Sequence, residues 1–275
     1  MPRGLILAGI PGTGKTVLVK AIAYELGIPL AILDASAFLR GVVGETESRV
    51  KQIIAILESL APIVVFWDEL DAVFQPRESQ LSTDSGVSRR MLNALLEYLG
   101  RTDRKAFVIG ATNFPQLDKA ATRPGRFDNM FGIFPPDYEA RKEVLSIHMN
   151  VIRKLPINEE TQKKIQETIA SETFGYTPAE LEQIVKNACS IAMDEDKGKI
   201  TLEHFRAAKE SLGVNIQTRI QEVETMAKQL STIPNVNMGF LKESLIEFGS
   251  GKDKDKTKTI IATLPDDLRG SLKAL

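Results

Sequence analysis

Two short stretches carry residue types that could do phosphate chemistry. Residues 9 to 16 read Gly-Ile-Pro-Gly-Thr-Gly-Lys-Thr, with the apolar run Gly4-Leu5-Ile6-Leu7-Ala8 before them and Val17-Leu18-Val19-Lys20-Ala21-Ile22-Ala23 after. A strand that feeds a glycine-rich turn at a helix N-terminus lets successive backbone N–H groups converge on one point, where the helix dipole adds positive potential. Such a loop suits a di- or triphosphate cradled by Pro11, Gly12, Thr13, Gly14, Lys15, Thr16 and Val17. The Lys15 ammonium would reach the β- and γ-phosphates, and the Thr16 hydroxyl would hold the bridging Mg²⁺. The second stretch, Ile63-Val64-Val65-Phe66-Trp67-Asp68-Glu69, is a buried-strand pattern ending in adjacent acids. Alternation along a strand would point the two carboxylates differently. Asp68 would hold the Mg²⁺ through its water shell, and Glu69 would take a proton from an attacking water.

The elements that must position these residues follow from the hydrophobic pattern. Short apolar runs at Leu5 to Ala8, Leu30 to Leu33, Ile63 to Trp67, Phe107 to Gly110 and Met130 to Phe134 alternate with helical spacing such as Val50, Ile53, Ile54, Leu57 and Leu60. Strand–helix alternation of this kind predicts an α/β fold, a P-loop domain on a parallel sheet with crossover helices. After Pro135-Pro136-Asp137 the pattern is helical without convincing strands: Tyr138 to Val151, Glu159 to Ser171, Pro178 to Asp194 and Leu202 to Leu212. Thr177 is placed to cap the third of these, with Pro178 at its first position. The reading is a large α/β nucleotide-binding domain over 1–136, a small all-α lid domain over 137–212, and a helical C-terminal extension over 213–275 with a flexible linker near 249–258.

Composition narrows the class. The 275 residues carry a net charge of −1 and 43% apolar residues, typical of a globular protein and without the accumulated Lys and Arg of a nucleic-acid surface. One cysteine, Cys189, and two histidines, His148 and His204, cannot assemble a disulfide framework or a Cys/His zinc site. No run approaches the roughly 18 apolar residues of a membrane span. These features are read as a cytoplasmic or equivalent reducing location. With no His-Glu-x-x-His motif in the chain, they also argue against a membrane-anchored protease.

Across about residues 2 to 212 the chain resembles the classical AAA ATPases of the AAA+ class. The P-loop and Asp68-Glu69-Leu70-Asp71-Ala72 match the Walker A and Walker B motifs of that family, and Gly110-Ala111-Thr112-Asn113-Phe114-Pro115 resembles its sensor 1. Leu117 to Asp128, with Arg123-Pro124-Gly125-Arg126-Phe127-Asp128, resembles the family's second region of homology. The resemblance implies that Asn113 orients the lytic water on a strand beside that of Glu69, and that Arg123 and Arg126 are fingers acting on a neighbouring subunit's nucleotide. It implies that His148 and Ala179, the latter in Gly175-Tyr176-Thr177-Pro178-Ala179-Glu180-Leu181, close the base pocket, with Pro178 where the family has glycine. The implied cofactors are ATP and Mg²⁺. The implied assembly is a homo-oligomeric ring, a hexamer, that remodels or unfolds a protein substrate or partner complex.

Two departures from the pattern shape that expectation. In the stretch that resembles the first pore loop, Ser36 to Glu47, relatives place an aromatic, whereas this chain has Gly41-Val42-Val43. Aromatic side chains supply large contact area at low entropy cost, so a valine loop should grip a threaded polypeptide less firmly and favours a non-processive activator or assembly factor. The P-loop also begins at residue 9, where relatives carry an upstream linker. Gln75 to Ser88 matches a second pore loop in position, and Arg89 and Arg90 are candidates to touch a neighbour's nucleotide. A nucleic-acid motor or loader is the alternative of a different class, disfavoured by the charge balance.

Overall fold

In the computed structural model the described residues are 4–34, 46–74, 85–195 and 199–249. The two pore-loop stretches fall largely outside them, as does all but the first residue of the linker expected over 249–258.

Five parallel strands form the sheet: β1 (Gly4–Gly9), β2 (Leu30–Asp34), β3 (Val64–Asp68), β4 (Phe107–Thr112) and β5 (Asn129–Ile133), in the order β2-β3-β4-β1-β5. Each expected apolar run is a strand. Val64 to Trp67 are buried throughout, which is why that run is continuously apolar rather than alternating. Around the sheet lie α1 (Lys15–Glu25), α2 (Thr46–Ser59), a one-turn α3 (Leu70–Val73) and α4 (Ser85–Gly100). Leu7, Val19, Ala23, Val64, Phe66, Ile109 and Ala111 make one core between α1 and the sheet. The consequence for function lies in register. Parallel strands end together, so the C-terminal ends of β1, β4 and β3, adjacent in that order, gather on one edge of the sheet.

The helical residues are α5 (Tyr138–Ser146), a π-helical stretch (Ile147–Ile152), α6 (Glu159–Glu172), α7 (Pro178–Asp194) and α8 (Leu202–Leu212). Asp137 caps α5 by accepting from the Ala140 N–H at 2.8 Å. Thr177 caps α7 in a reciprocal box: its hydroxyl accepts from the Glu180 N–H, and Glu180 Oε2 accepts from the Thr177 N–H at 2.7 Å. Their core is built from Leu145, Met149, Ile165, Leu181, Ile184 and Phe205. Arg141 is fully buried among these helices, and its guanidinium donates to the carbonyls of Ala170 and Pro136.

Two more helices follow, α9 (Ile216–Ser231) and α10 (Met238–Phe248). By contact the chain divides into two units. Of the described residues, one holds β1 and Ile10, those within Lys15–Ile133, and Gln229–Leu241. The other holds Pro11–Gly14, Phe134–Lys228 and the described residues from Lys242 on. The C-terminal extension thus contributes Gln229–Leu241 to the sheet-bearing unit, where Val236 bridges Met130 of the edge strand β5.

Candidate functional site

At the end of β1 the chain turns and restarts as a helix at Lys15. This puts the ammonium where it donates to the carbonyls of Gly9 at 2.8 Å and Ile10 at 3.1 Å, and to Asn113 Oδ1 at 2.9 Å. Lys15 is buried, and removal from water lowers its pKa to about 8, although Asp68 and then Asp71 pull it back up. The Thr16 hydroxyl donates to Asp68 Oδ2 at 3.2 Å. Residues 52 and 98 positions apart are therefore in direct contact through side chains chosen from sequence for one phosphate site. Elsewhere in the loop Thr13 is buried, Gly14 is half-buried, and Pro11, Gly12 and Val17 are exposed.

Beyond β3 the backbone does something that simple strand alternation does not describe. The strand ends at Asp68, and Glu69 takes a left-handed conformation, φ 55 and ψ 45, at the start of α3. For a residue with a Cβ this conformation costs about 1–2 kcal/mol. The Glu69 N–H donates to Asp68 Oδ1 at 3.0 Å, and the turn leaves the Glu69 side chain exposed while Asp68 is half-buried. Two contacts then fix this turn against β4. A Cβ on Gly110 would lie 2.0 Å from Leu70 Cδ1, so the absence of a side chain is what lets the buried Leu70 pack there. Asp71 Oδ1 accepts from the Thr112 hydroxyl at 2.8 Å and from the Asn113 N–H at 3.3 Å. Asp71 is a positioning residue that the sequence reading passed over. The available signal was a third acid in Asp68-Glu69-Leu70-Asp71, close behind the other two at the end of the apolar run.

The arginine loop lies between β4 and β5 and is closed on itself. Arg126 N–H donates to Arg123 O at 3.2 Å, Gly125 N–H to Asp128 Oδ1 at 2.7 Å, and Arg126 Nη1 to Ala120 O. Its two arginines are not equivalent. Arg123 is exposed, whereas Arg126 is half-buried, and burial together with the neighbouring Arg123 charge pushes its pKa down.

Among the helices, His148 sits in the π-helical stretch, with Nδ1 3.2 Å from Arg153 Nη1. Burial lowers its pKa, so the neutral ring is favoured. Ala179 is in the first turn of α7, and its N–H donates to Gly12 O at 3.3 Å. Gly12 has φ +82, and a Cβ there would approach the Thr177 hydroxyl to 2.9 Å. Pro178 in the family's glycine position is compatible with this backbone contact.

Lys15, the paired oxygens of Thr16 and Asp68, the left-handed Glu69 and Asn113 now stand on one sheet edge. The profile described as ATPase family associated with various cellular activities (AAA) matches residues 5–134, and that of the AAA+ lid domain matches residues 167–207. The chain belongs to the AAA ATPases. ATP binding and hydrolysis come with that membership. The chain is 37% identical over 222 residues to an ATP-dependent zinc metalloprotease FtsH of Syntrophotalea carbinolica, covering 80% of this chain and 33% of that protein. It is 39% identical over 211 residues to an FtsH of Thermotoga maritima, covering 76% and 34%. A protein named SAV from Sulfolobus acidocaldarius is 40% identical over 195 residues, covering 70% and 24%.

These AAA relatives correct one expectation. The cytoplasmic location read from composition does not stand, because the FtsH relatives are membrane-anchored enzymes. Among the described residues no helix is long and apolar enough to cross a membrane. The chain spans about a third of the length of the FtsH relatives it matches, so the lack of a span or of His-Glu-x-x-His within it does not separate it from them.

Proposed function

We propose that this chain is the motor of a six-subunit, ring-forming, Mg²⁺-dependent AAA ATPase, which remodels or unfolds a protein. The observation that carries the reading is the paired contact of Thr16 with Asp68 and of Lys15 with Asn113. Two hard oxygen donors side by side fit a small divalent cation, whose charge would offset that of the β- and γ-phosphates. Lys15 binds the same phosphates. Glu69 accepts a proton from water while the water oxygen forms its bond to the γ-phosphorus and the bond to the β–γ bridging oxygen breaks. Asn113, held by Asp71, orients that water. His148 and Ala179 flank the base, and Arg123 and Arg126 come from the neighbouring subunit to stabilise the transferring phosphoryl group.

A protein substrate is supported by the FtsH relatives, which are proteases by name, and by the net charge of −1. The test combines three measurements. Glu69→Gln should bind ATP with parental affinity and hydrolyse it on the order of 10²–10⁴ more slowly. The doubly substituted Arg123→Ala/Arg126→Ala chain should also be inactive, and mixing it with Glu69→Gln subunits should restore turnover. Parental activity of the double variant on its own sinks the shared-site reading. Turnover stimulated by unfolded casein supports a protein substrate, and stimulation by single-stranded DNA alone overturns it.

A further inference from the structure

The arginine loop is held from outside by a segment far along the chain. Asn235 Nδ2 donates to Phe127 O at 3.0 Å, on the last turn of the loop. The Met130 N–H donates to Asn235 O and the Asn237 N–H to Met130 O, both at 2.9 Å, so the segment pairs with the edge strand β5 just beyond the loop. Val236 is buried at that bridge, and Phe240 meets Phe131 edge to face at 5.2 Å. The same segment and the loop line one cleft of about 640 Å³: Asp118, Lys119 and Arg123 on one wall, Thr232, Ile233 and Pro234 on the other. All these residues belong to the sheet-bearing unit.

We propose that residues 232–237 act as a clasp that holds the arginine loop in shape to present Arg123, with Asn235 as its positioning residue. The reasoning is geometric. A loop whose internal bonds are short-range hydrogen bonds can open locally at little cost, and a guanidinium displaced by about 1 Å loses much of its effect on a transition state. Asn235 ties the loop's Phe127 carbonyl to a strand-paired segment, so the base of the loop cannot shift without breaking that bond. The clasp acts on the neighbour's turnover and leaves the subunit's own phosphate cradle untouched. It rests on the reading of Arg123 as a finger acting in trans.

The experiment uses the full chain with Asn235→Ala and Asn235→Asp, the latter matching the shape of asparagine but lacking the N–H. A fluorescent ATP analogue reports binding, and phosphate release reports turnover. Both variants are expected to bind with parental affinity and to turn over at least about tenfold more slowly, a part of the ~10³–10⁵ that such a finger supplies. Mixing either with Glu69→Gln subunits, whose loops are intact, is expected to raise activity well above that of the variant alone. If the double arginine variant retains parental activity, the finger reading fails. If that variant is inactive while Asn235→Ala and Asn235→Asp turn over normally, the clasp alone fails. Loss of nucleotide binding in both Asn235 variants, or slow turnover that mixing does not rescue, also overturns it, because the segment then supports the fold and not the finger.

Discussion

The cluster at the ends of β1, β3 and β4 and the arginine loop between β4 and β5 are both built from charged residues, yet they are stabilised in opposite ways. In the cluster, side chains bond to one another across strands: Thr16 to Asp68, Lys15 to Asn113, Thr112 to Asp71. In the loop, Arg126 bonds to a backbone carbonyl of its own loop and Arg123 is exposed. The contrast teaches that the cluster is preorganised by mutual pairing, with its groups in place and partly desolvated before chemistry begins. The loop is organised through its backbone, which leaves a guanidinium available.

The strongest way to break the cluster without touching a polar group is Gly110→Ala. The new methyl would displace the fully buried Leu70 and with it the strained turn at Glu69. Overpacking of this kind should destabilise the fold by about 1–3 kcal/mol in denaturant titrations and slow hydrolysis, while the equivalent change in the loop, Gly125→Ala, meets no atom within 4 Å and is opposed only by its φ of +88. An unchanged midpoint for Gly110→Ala would show that Leu70 can move freely, and the cluster would not be preorganised.

A smaller effect is expected from pH. Because burial holds the Lys15 pKa at about 8, against 10.5 for a free lysine, the ammonium is lost as pH rises through 8. Nucleotide affinity should therefore fall above pH 8, by up to about tenfold per pH unit where Lys15 dominates binding. Fold stability should move the other way. The unfolded chain binds the extra proton between about 8 and 10.5, so the burial penalty, complete below pH 8, is relieved across that window. Asp71→Asn, which removes a charge that raises the Lys15 pKa, should shift the affinity profile to lower pH. Fluorescent-nucleotide titrations from pH 7 to 10 check both statements, and a flat profile would place Lys15 outside the binding step.

The smallest effect sharpens the comparison most. Glu69→Gly should raise stability by roughly 1 kcal/mol, since glycine adopts the left-handed conformation without the Cβ clash, while hydrolysis is lost. Strain at Glu69 would then be a cost of its catalytic position. A destabilised Glu69→Gly chain would mean that the side chain supports the fold.

Much of this was legible along the chain because it is local. The five strands, the P-loop, the capping of α7 by Thr177 and the order of the acids after β3 all depend on residues within a few positions of one another. The neighbouring strands of Asn113 and Glu69 were expected only from the family resemblance, and the strand order of the sheet brings the two strand ends together. The role of Asp71, the left-handed turn at Glu69 and the π-helical stretch around His148 were not legible, since each reflects packing against an element distant in sequence or a compromise among several contacts.

By itself, the order of residues determined that this chain would build a parallel sheet with a phosphate loop at one strand end and acids at another, because hydrophobic periodicity and turn chemistry act over short range. Only the tertiary structure decided that the buried Lys15 shares Asn113, that Arg123 and Arg126 differ in exposure, and that Asn235 reaches the Phe127 carbonyl. Those outcomes join residues 98 and 108 positions apart in the first and last cases. Their selection depends on which surfaces meet when the sheet and helices pack, and no local pattern carries that information.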